Sequence, residues 1–433
     1  MLDNKPYDHI EQNKQQTNWF DLGFKHVWRP YTQEKIAPLP LKVKQTLGSK
    51  IILEDGVELI DGISSWWSAA HGYNHPYILA QIQKQLEIMP HIMFGGLAHE
   101  PAYKLAQRLA DITKMDKVFF TDSGSTAVET AMKMAVQYWQ NIGHKRKNRF
   151  VSFTNSYHGD TMGCMSVCDP ESGMHNAFHD YMIRQYSFKL PTEEYEFSEF
   201  EVLISDLKIN IAAVILEPLV QGAGGMKFHS PDLVAEIYRI CKKHDILFIA
   251  DEVMTGFGRT GHMFACGEAG IIPDIMCIGK ALTAGIMPMA ATLAKLNIYD
   301  AFLGDDINKA LMCGPTYMAN PLACTAANAS LDLFATEQTL KKVEQIESQL
   351  YKELLPCLEF KQVVDVRVKG AIAVVELKDM NYQKILKLRE DFIKKNIWLR
   401  PFDNIIYIMP AFNINPSDLT TITKAILEVL AAS

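Results

Sequence analysis

Lys280 is the only charged residue between Asp274 and Lys295, in a stretch reading IMCIGKALTAGIMPMAATLA. Burial in such surroundings disfavours the ammonium form, and a neutral amine in a dry pocket is a nucleophile that forms Schiff bases with aldehydes. Residues 246–250 (ILFIA) are an apolar run that ends on Asp251, and a carboxylate at such a strand end needs a cation to face. A protonated pyridine nitrogen meets that need, and an aspartate on it together with a lysine Schiff base is the way pyridoxal phosphate is held. Residues 117–120 (KVFF) run into Thr121, Asp122, Ser123, Gly124, Ser125 and Thr126 and then into a helical pattern. A strand, a Ser/Gly turn and a helix start in that order offer free N–H groups and a helix dipole to a phosphate. Tyr157, in SYHGDT after residues 149–153 (RFVSF), is an aromatic at a strand end, suited to stacking on a flat ring.

Each feature also has an ordinary alternative. A lysine at a strand end snorkels, an aspartate there caps a helix or binds magnesium, serines are common N-caps, and a tyrosine fills core. His71 and His75 have an H-x3-H spacing, but Gly72 and Pro76 disfavour a helix between them, so no metal site is expected. The eight cysteines include no C-x-x-C pair, which fits reduced, buried thiols. GxxxxGK[ST] does not occur, against P-loop chemistry.

The elements that must position these residues read as follows. The 433 residues are 48% hydrophobic, ample for a large core, and 21% charged, which excludes a disordered chain. A balance of 43 basic against 50 acidic side chains, net −7, leaves no nucleic-acid footprint. The charge-poor window around Lys280 is near the length of a membrane span, but its lysine, its glycines and Pro288 mark it as buried core, with part of its surface facing a second subunit. The N-terminal MLDNKPYDHI has no basic-then-apolar signal pattern, so a cytoplasmic location is expected. Near-continuous apolar runs at 117–120, 149–153, 211–216, 246–250, 275–278 and 290–293 alternate with amphipathic stretches at 127–139 and 231–243. That alternation predicts an α/β fold with a mostly parallel sheet covered by helices. Residues 53–61 (LEDGVELID) predict a hairpin through Asp55-Gly56. After about residue 335 the chain predicts helices near 337–355 and 417–431 and a strand at 371–377. A large cofactor-binding domain over 71–335 and a smaller α+β domain built from 1–70 and 336–433 follow, with no Gly/Ser linker between them.

Together, DSGSTAVETAMK, SYHGDT, EPLVQGAGG, ADEVMTGFGRTG and the lysine of IGKAL resemble the class III (omega) aminotransferases of pyridoxal phosphate fold type I, in the family's order and spacing from about Trp28 to Ala411. WRPYTQ, DGISSWWSAAHGYNHP, MFGGLAHEPA, CGPTYMANPLAC and WLRPFDNIIYIMP are similar to the branch of that family that aminates 8-amino-7-oxononanoate with S-adenosylmethionine as amino donor. The resemblance implies a large domain with a seven-stranded sheet, pyridoxal 5'-phosphate as cofactor, and a homodimer with active sites at the interface. It implies Lys280 and Asp251 as catalytic, with Tyr31, and Ser123, Gly124, Ser125, Tyr157, Glu217, Pro315 and Thr316 as further cofactor contacts, Thr316 reaching the phosphate of the neighbouring subunit. Glu217 would order Asp251 or a nearby water. Tyr31, Trp66, Trp67, Arg259, Gly314, Arg400 and Tyr407 would line the substrate side.

Arg400 also stands on its own chemistry. In the apolar WLRPF a guanidinium is retained for an anion, and a substrate carboxylate is such a partner. Many relatives that use glutamate carry QGEAG, whose Glu can cover this arginine; this chain has QGAGG, with Ala223 at that place. Two further departures from the family pattern, Ala284 for a common Gly and WRPYTQ for W-H-P-Y-T, lie near the substrate or phosphate and bear on the donor. The rival readings are another omega-aminotransferase acting on a diamine or β-amino acid, the same step with lysine as donor, an idle cofactor-binding homologue, and a magnesium-dependent hydrolase using Asp251 and Asp274.

Overall fold

The computed structural model describes residues 18–171, 174–178 and 180–432; the N-terminal MLDNKPYDHI lies outside them. Its centre is a seven-stranded sheet in the order Lys117–Thr121, Ala290–Ala294, Ile275–Ile278, Leu247–Asp251, Ile211–Leu216, Arg149–Phe153, Tyr186–Phe188. The apolar runs are strands for the expected reason: Ile211–Leu216, Leu247–Asp251, Ile275–Ile278 and Ala290–Ala294 are buried along their whole length, with helices on both faces. The edge strand Tyr186–Phe188 has no apolar run to announce it, being short and only half-buried.

Ala290–Ala294 runs antiparallel to both of its neighbours, Ile275–Ile278 and Lys117–Thr121. Two reversals restore direction, so Lys117–Thr121 runs parallel to the remaining strands, which pair in parallel. The carboxyl ends of the Lys117, Arg149, Ile211, Leu247 and Ile275 strands therefore share one edge, where α/β sheets bind ligands. The charge-poor window forms two inner strands of this sheet and the short helix Lys280–Thr283 between them. Most of its apolar side chains lie in the chain's own core, while Pro288 is exposed and Ile286 and Met287 are half-buried.

Helix Gly124–Asn141 starts three residues earlier than the periodicity predicts, because Ser123 caps it: the Ser123 hydroxyl accepts from Thr126 N, and Thr126 returns a bond to Ser123 N. Helix Pro231–Lys243 has its Ser230 cap, a first-position proline and a basic last turn, and matches its predicted span. The hairpin forms between Lys50–Leu53 and Glu58–Asp61, with Gly56 at φ +89° and Asp55 Oδ1 accepting from Val57 N at 3.0 Å.

A four-stranded sheet takes strands from both ends of the chain, in the order Val43–Leu47, Lys50–Leu53, Glu58–Asp61, Ile397–Trp398. Its last pair is parallel, Ile397 opposite Ile60 and Trp398 opposite Asp61. The segments that follow, carrying Trp66 and Arg400, thus leave the sheet from the same end. Val363–Lys369, Ile372–Leu377 and Ile405–Ile408 form a third sheet, and helices Thr339–Leu354 and Pro416–Ala431 pack beside it. Among the described residues no helix is long and apolar enough to cross a membrane.

Candidate active site

Lys280 enters the site on a residue with φ +43°, a left-handed conformation that a lysine adopts only when its surroundings impose it. The side chain is half-buried and lies over Trp67, its Nζ 5.1 Å from the ring centroid. Among the described residues Nζ makes no hydrogen bond or ion pair. Desolvation pushes its pKa down, against the opposing pull of Asp251, Glu217 and Asp160. The amine expected from sequence is therefore present, and free.

Asp251 ends its strand 5% exposed. Its Oδ2 accepts from His158 Nδ1 at 2.7 Å and its Oδ1 from Val253 N at 3.1 Å. His158 is a functional residue that the sequence reading missed, although it sits inside SYHGDT; its signal is a histidine adjoining the stacking aromatic. Its other ring nitrogen, Nε2, is buried without a partner among the described residues. Glu217 does not hydrogen-bond Asp251 as expected. Its two oxygens accept from Tyr157 N at 2.9 Å and Gly222 N at 2.8 Å, so it fixes two loops instead. Its carboxyl is pushed up to about 7, first by burial.

At the start of helix Gly124–Asn141, the N–H groups of Gly124 and Ser125 have no acceptor among the described residues. The turn is packed from beneath: a Cβ on Gly124 would meet Val253 Cγ1 at 2.7 Å. Gly159, at φ +123°, lets the SYHGDT turn approach so closely that a Cβ there would fall 2.0 Å from Ser125 Oγ. Ser125 Oγ accepts from Asp160 N at 3.0 Å, which ties the two loops together.

Asp160, also missed, is the junction of the outer cleft. It accepts from the hydroxyls of Tyr157, at 2.9 Å, and Tyr31. The two phenol oxygens lie 3.4 Å apart. Burial and the Asp160 bond push the Tyr31 phenol up to about 12, so it remains a donor. Tyr31 packs edge-on against Trp66, centroids 6.1 Å apart, and Arg400 lies over Trp66 at 4.8 Å. Arg400 makes no hydrogen bond or ion pair among the described residues.

Trp66 and Trp67 sit on a turn in which Ser64, Ser65, Trp66 and Trp67 all have positive φ, from 42° to 71°. Such a run costs about 1–2 kcal/mol per residue and must be held. Asp61 holds it, accepting from Ile63 N and Ser65 N, and Ser64 Oγ donates to the Met409 carbonyl. The turn separates the pair: Trp67 is buried beside Lys280 and Tyr407, and Trp66, 42% exposed, faces the cleft.

Arg259 differs from its expected role at the substrate wall. It is 1% exposed and donates to the carbonyls of Ala371 (3.2 Å) and Pro410 (2.8 Å) and to Ser64 Oγ (3.3 Å), with Phe412 under the guanidinium. These acceptors leave it no face for a substrate carboxylate, and it stabilises the tryptophan turn from behind. Tyr407 is likewise buried, its ring against Trp67 and Phe402. Gly314, Pro315 and Thr316 lie on a surface loop whose Cys313 is 3.9 Å from Lys133 Nζ and Thr130 Oγ1 of helix Gly124–Asn141, and whose Lys309 and Ala310 carbonyls accept from Gln137 of that helix. His71 and His75 bond separately to Ser330 and Glu337, and no metal-binding cluster occurs among the described residues.

The residues fit pyridoxal phosphate. An amine without a bond among the described residues, a buried carboxylate held by His158 and two N–H groups at a helix start without an acceptor there share one edge.

The family model for class-III aminotransferases matches residues 31–430. A curated relative from Buchnera aphidicola subsp. Schizaphis graminum, named adenosylmethionine-8-amino-7-oxononanoate aminotransferase, is 42% identical over 94% of this chain and 95% of its own. The crystal structure of an enzyme of that name from Methanocaldococcus jannaschii superposes with a TM-score of 0.90 at 33% identity, covering 96% of this chain and 98% of that one. An amine transaminase from an uncultivated Pseudomonas species, solved in its PLP-bound form, gives a TM-score of 0.88 at 31% identity over 94% of this chain and 98% of that one.

Proposed function

This chain belongs to the class-III aminotransferases, and from that premise we propose that it transfers an amino group from S-adenosylmethionine to C7 of 8-amino-7-oxononanoate, the biotin-biosynthetic step that yields 7,8-diaminononanoate. The observation that carries the substrate is Arg400, a cation with no hydrogen bond or ion pair among the described residues, over the half-exposed Trp66. A guanidinium in that position selects a long acid by its far carboxylate. The anionic Asp160 stands toward the reacting end, where the keto acid carries its ammonium group. Ala223 leaves Arg400 uncovered by any carboxylate of its own loop.

When bound, pyridoxal 5'-phosphate supplies an aldehyde that bonds amines and a protonated ring that takes up electrons from the reacting carbon. Gly124 and Ser125 N–H groups and the Ser123 turn would hold its phosphate, and Tyr157 would stand against its ring. Asp251, fixed by His158, would hold the proton on the ring nitrogen. Lys280 Nζ, whose pKa desolvation pushes down, would take a proton from the amine-bearing carbon of the donor and give one to the keto carbon of the acceptor. One cleft receives both substrates in turn, which gives ping-pong kinetics.

The chain's division into a 71–335 domain and a domain from both termini is part of this reading, supported by the sheet that pairs Glu58–Asp61 with Ile397–Trp398. So is a homodimer in which Pro315 and Thr316 complete the neighbouring copy's phosphate site. Exposed Ile307, Met312 and Tyr317 on that loop support it. A cytoplasmic location is supported by eight free cysteines, seven of them buried.

The test is turnover. The purified holoenzyme is given 8-amino-7-oxononanoate with S-adenosylmethionine, lysine or glutamate, and 7,8-diaminononanoate is quantified. Product with S-adenosylmethionine is expected; product with lysine or glutamate alone overturns the donor, and no product with any overturns the substrate.

A further inference from the structure

His175 lies on a surface turn whose neighbours Met174 and Asn176 are exposed, yet its own ring is 7% exposed. Nε2 donates to Asp160 Oδ1 at 3.0 Å, the oxygen that also receives the Tyr157 hydroxyl at 2.9 Å. The imidazole lies nearly parallel to the Tyr157 ring, centroids 5.9 Å apart at 27°. Nδ1 is buried and has no partner among the described residues. A site that needed only packing would hold an apolar ring here, because an unpaired buried ring nitrogen is costly. Among the described residues its one bond is to Asp160, and the polar ring is retained for it.

We propose that His175 is a positioning residue for the keto-acid half of the reaction: it fixes the Asp160 carboxylate, and through it the hydroxyls of Tyr31 and Tyr157, against the substrate. Asp160 is half-exposed and on a loop, so without His175 only the two phenols and the backbone tie to Ser125 hold it. Tyr31 in turn carries Trp66, and Trp66 lies under Arg400, so one chain of contacts runs from His175 to the carboxylate end of the cleft. The same hydrogen bond is the largest influence holding the Asp160 carboxyl below its ordinary value, and Tyr31, Tyr157 and Lys280 are the other titratable groups around it.

The inference rests on the substrate pair proposed above, and wild-type holoenzyme is its control: no turnover of that pair overturns the functional reading itself. His175→Phe keeps a ring against Tyr157 and removes the donor; His175→Gln keeps a donor. His175→Phe is expected to lower kcat/KM for 8-amino-7-oxononanoate by about tenfold or more, the worth of one hydrogen bond to a charged group, and that for S-adenosylmethionine much less. The calorimetric affinity of the holoenzyme for the keto acid should fall in step, and the acidic limb of the keto-acid pH profile should move to higher pH. His175→Gln should recover most of each loss. An equal loss for both substrates, an unmoved acidic limb, or a Gln variant no better than Phe would overturn the role.

Discussion

Arg400→Met separates what this residue does for the fold from what it does for the substrate. Among the described residues Arg400 makes no hydrogen bond or ion pair, and it lies over Trp66 at 4.8 Å from a ring that is 42% exposed. A cation–π contact at such a site is worth about 0.5–1 kcal/mol, and methionine keeps much of the apolar contact, so the melting temperature should barely change. Against a substrate carboxylate, the same guanidinium makes charge-assisted hydrogen bonds worth about 1.5–3 kcal/mol. At 1.36 kcal/mol per decade this is a loss of about 10- to 150-fold in kcat/KM. The assay is a cycle of wild type and Arg400→Met, each with 8-amino-7-oxononanoate and with its methyl ester. If the arginine reads the carboxylate, wild type should lose most of its advantage with the ester, and the variant should barely distinguish the two. An equal drop with acid and ester would refute the clamp and leave Arg400 a packing residue.

Lys280→Ala should abolish turnover with either substrate, and borohydride treatment of wild-type holoenzyme should leave the cofactor's mass on the peptide containing Lys280; appreciable activity in the variant contradicts the assignment. Gly159→Ala places a Cβ 2.0 Å from Ser125 Oγ at φ +123°, and should cost about 1–3 kcal/mol of stability while weakening cofactor affinity by spectroscopic titration; a variant with normal affinity would show that the two loops need not touch. Glu217 has its folded pKa raised to about 7, so its burial favours the native state below the usual carboxylate range, and that contribution is lost as pH rises toward 7. Up to about 3 kcal/mol is at stake. Melting curves at pH 5 and pH 8 should fall further for wild type than for Glu217→Gln, and parallel curves would contradict the shift.

Most of the cofactor site was legible because it is local. Lys280, Asp251 and the Ser123–Thr126 turn each follow a near-continuous apolar run, and a polar group at the end of such a run is conspicuous in one dimension. Tyr186–Phe188 escaped because a short edge strand has one neighbour and needs no apolar run. Arg259 was expected beside Arg400 on the substrate side through the resemblance alone. The difference is that Arg259 is enclosed by the carbonyls of Ala371 and Pro410, which are more than a hundred residues away along the chain. Asp160, His158 and His175 lie in or near a motif already singled out, but their importance is in their partners, and nothing in SYHGDT says that His158 faces Asp251 across 93 positions.

Hydrophobic periodicity and helix caps determined the α/β class, the strand-end positions of Lys280 and Asp251, and the phosphate turn, since those depend on neighbours a few residues apart. Which way each strand runs was decided only by the assembled sheet. Ala290–Ala294 is apolar like its neighbours, and only its antiparallel pairing with both of them brings the Ser123–Thr126 turn to the edge that carries Asp251 and Lys280. The left-handed turn that sends Trp67 to the lysine and Trp66 to Arg400 is likewise tertiary. It is strained by itself and stands because Asp61, Met409 and Arg259 bond it from three separate parts of the chain.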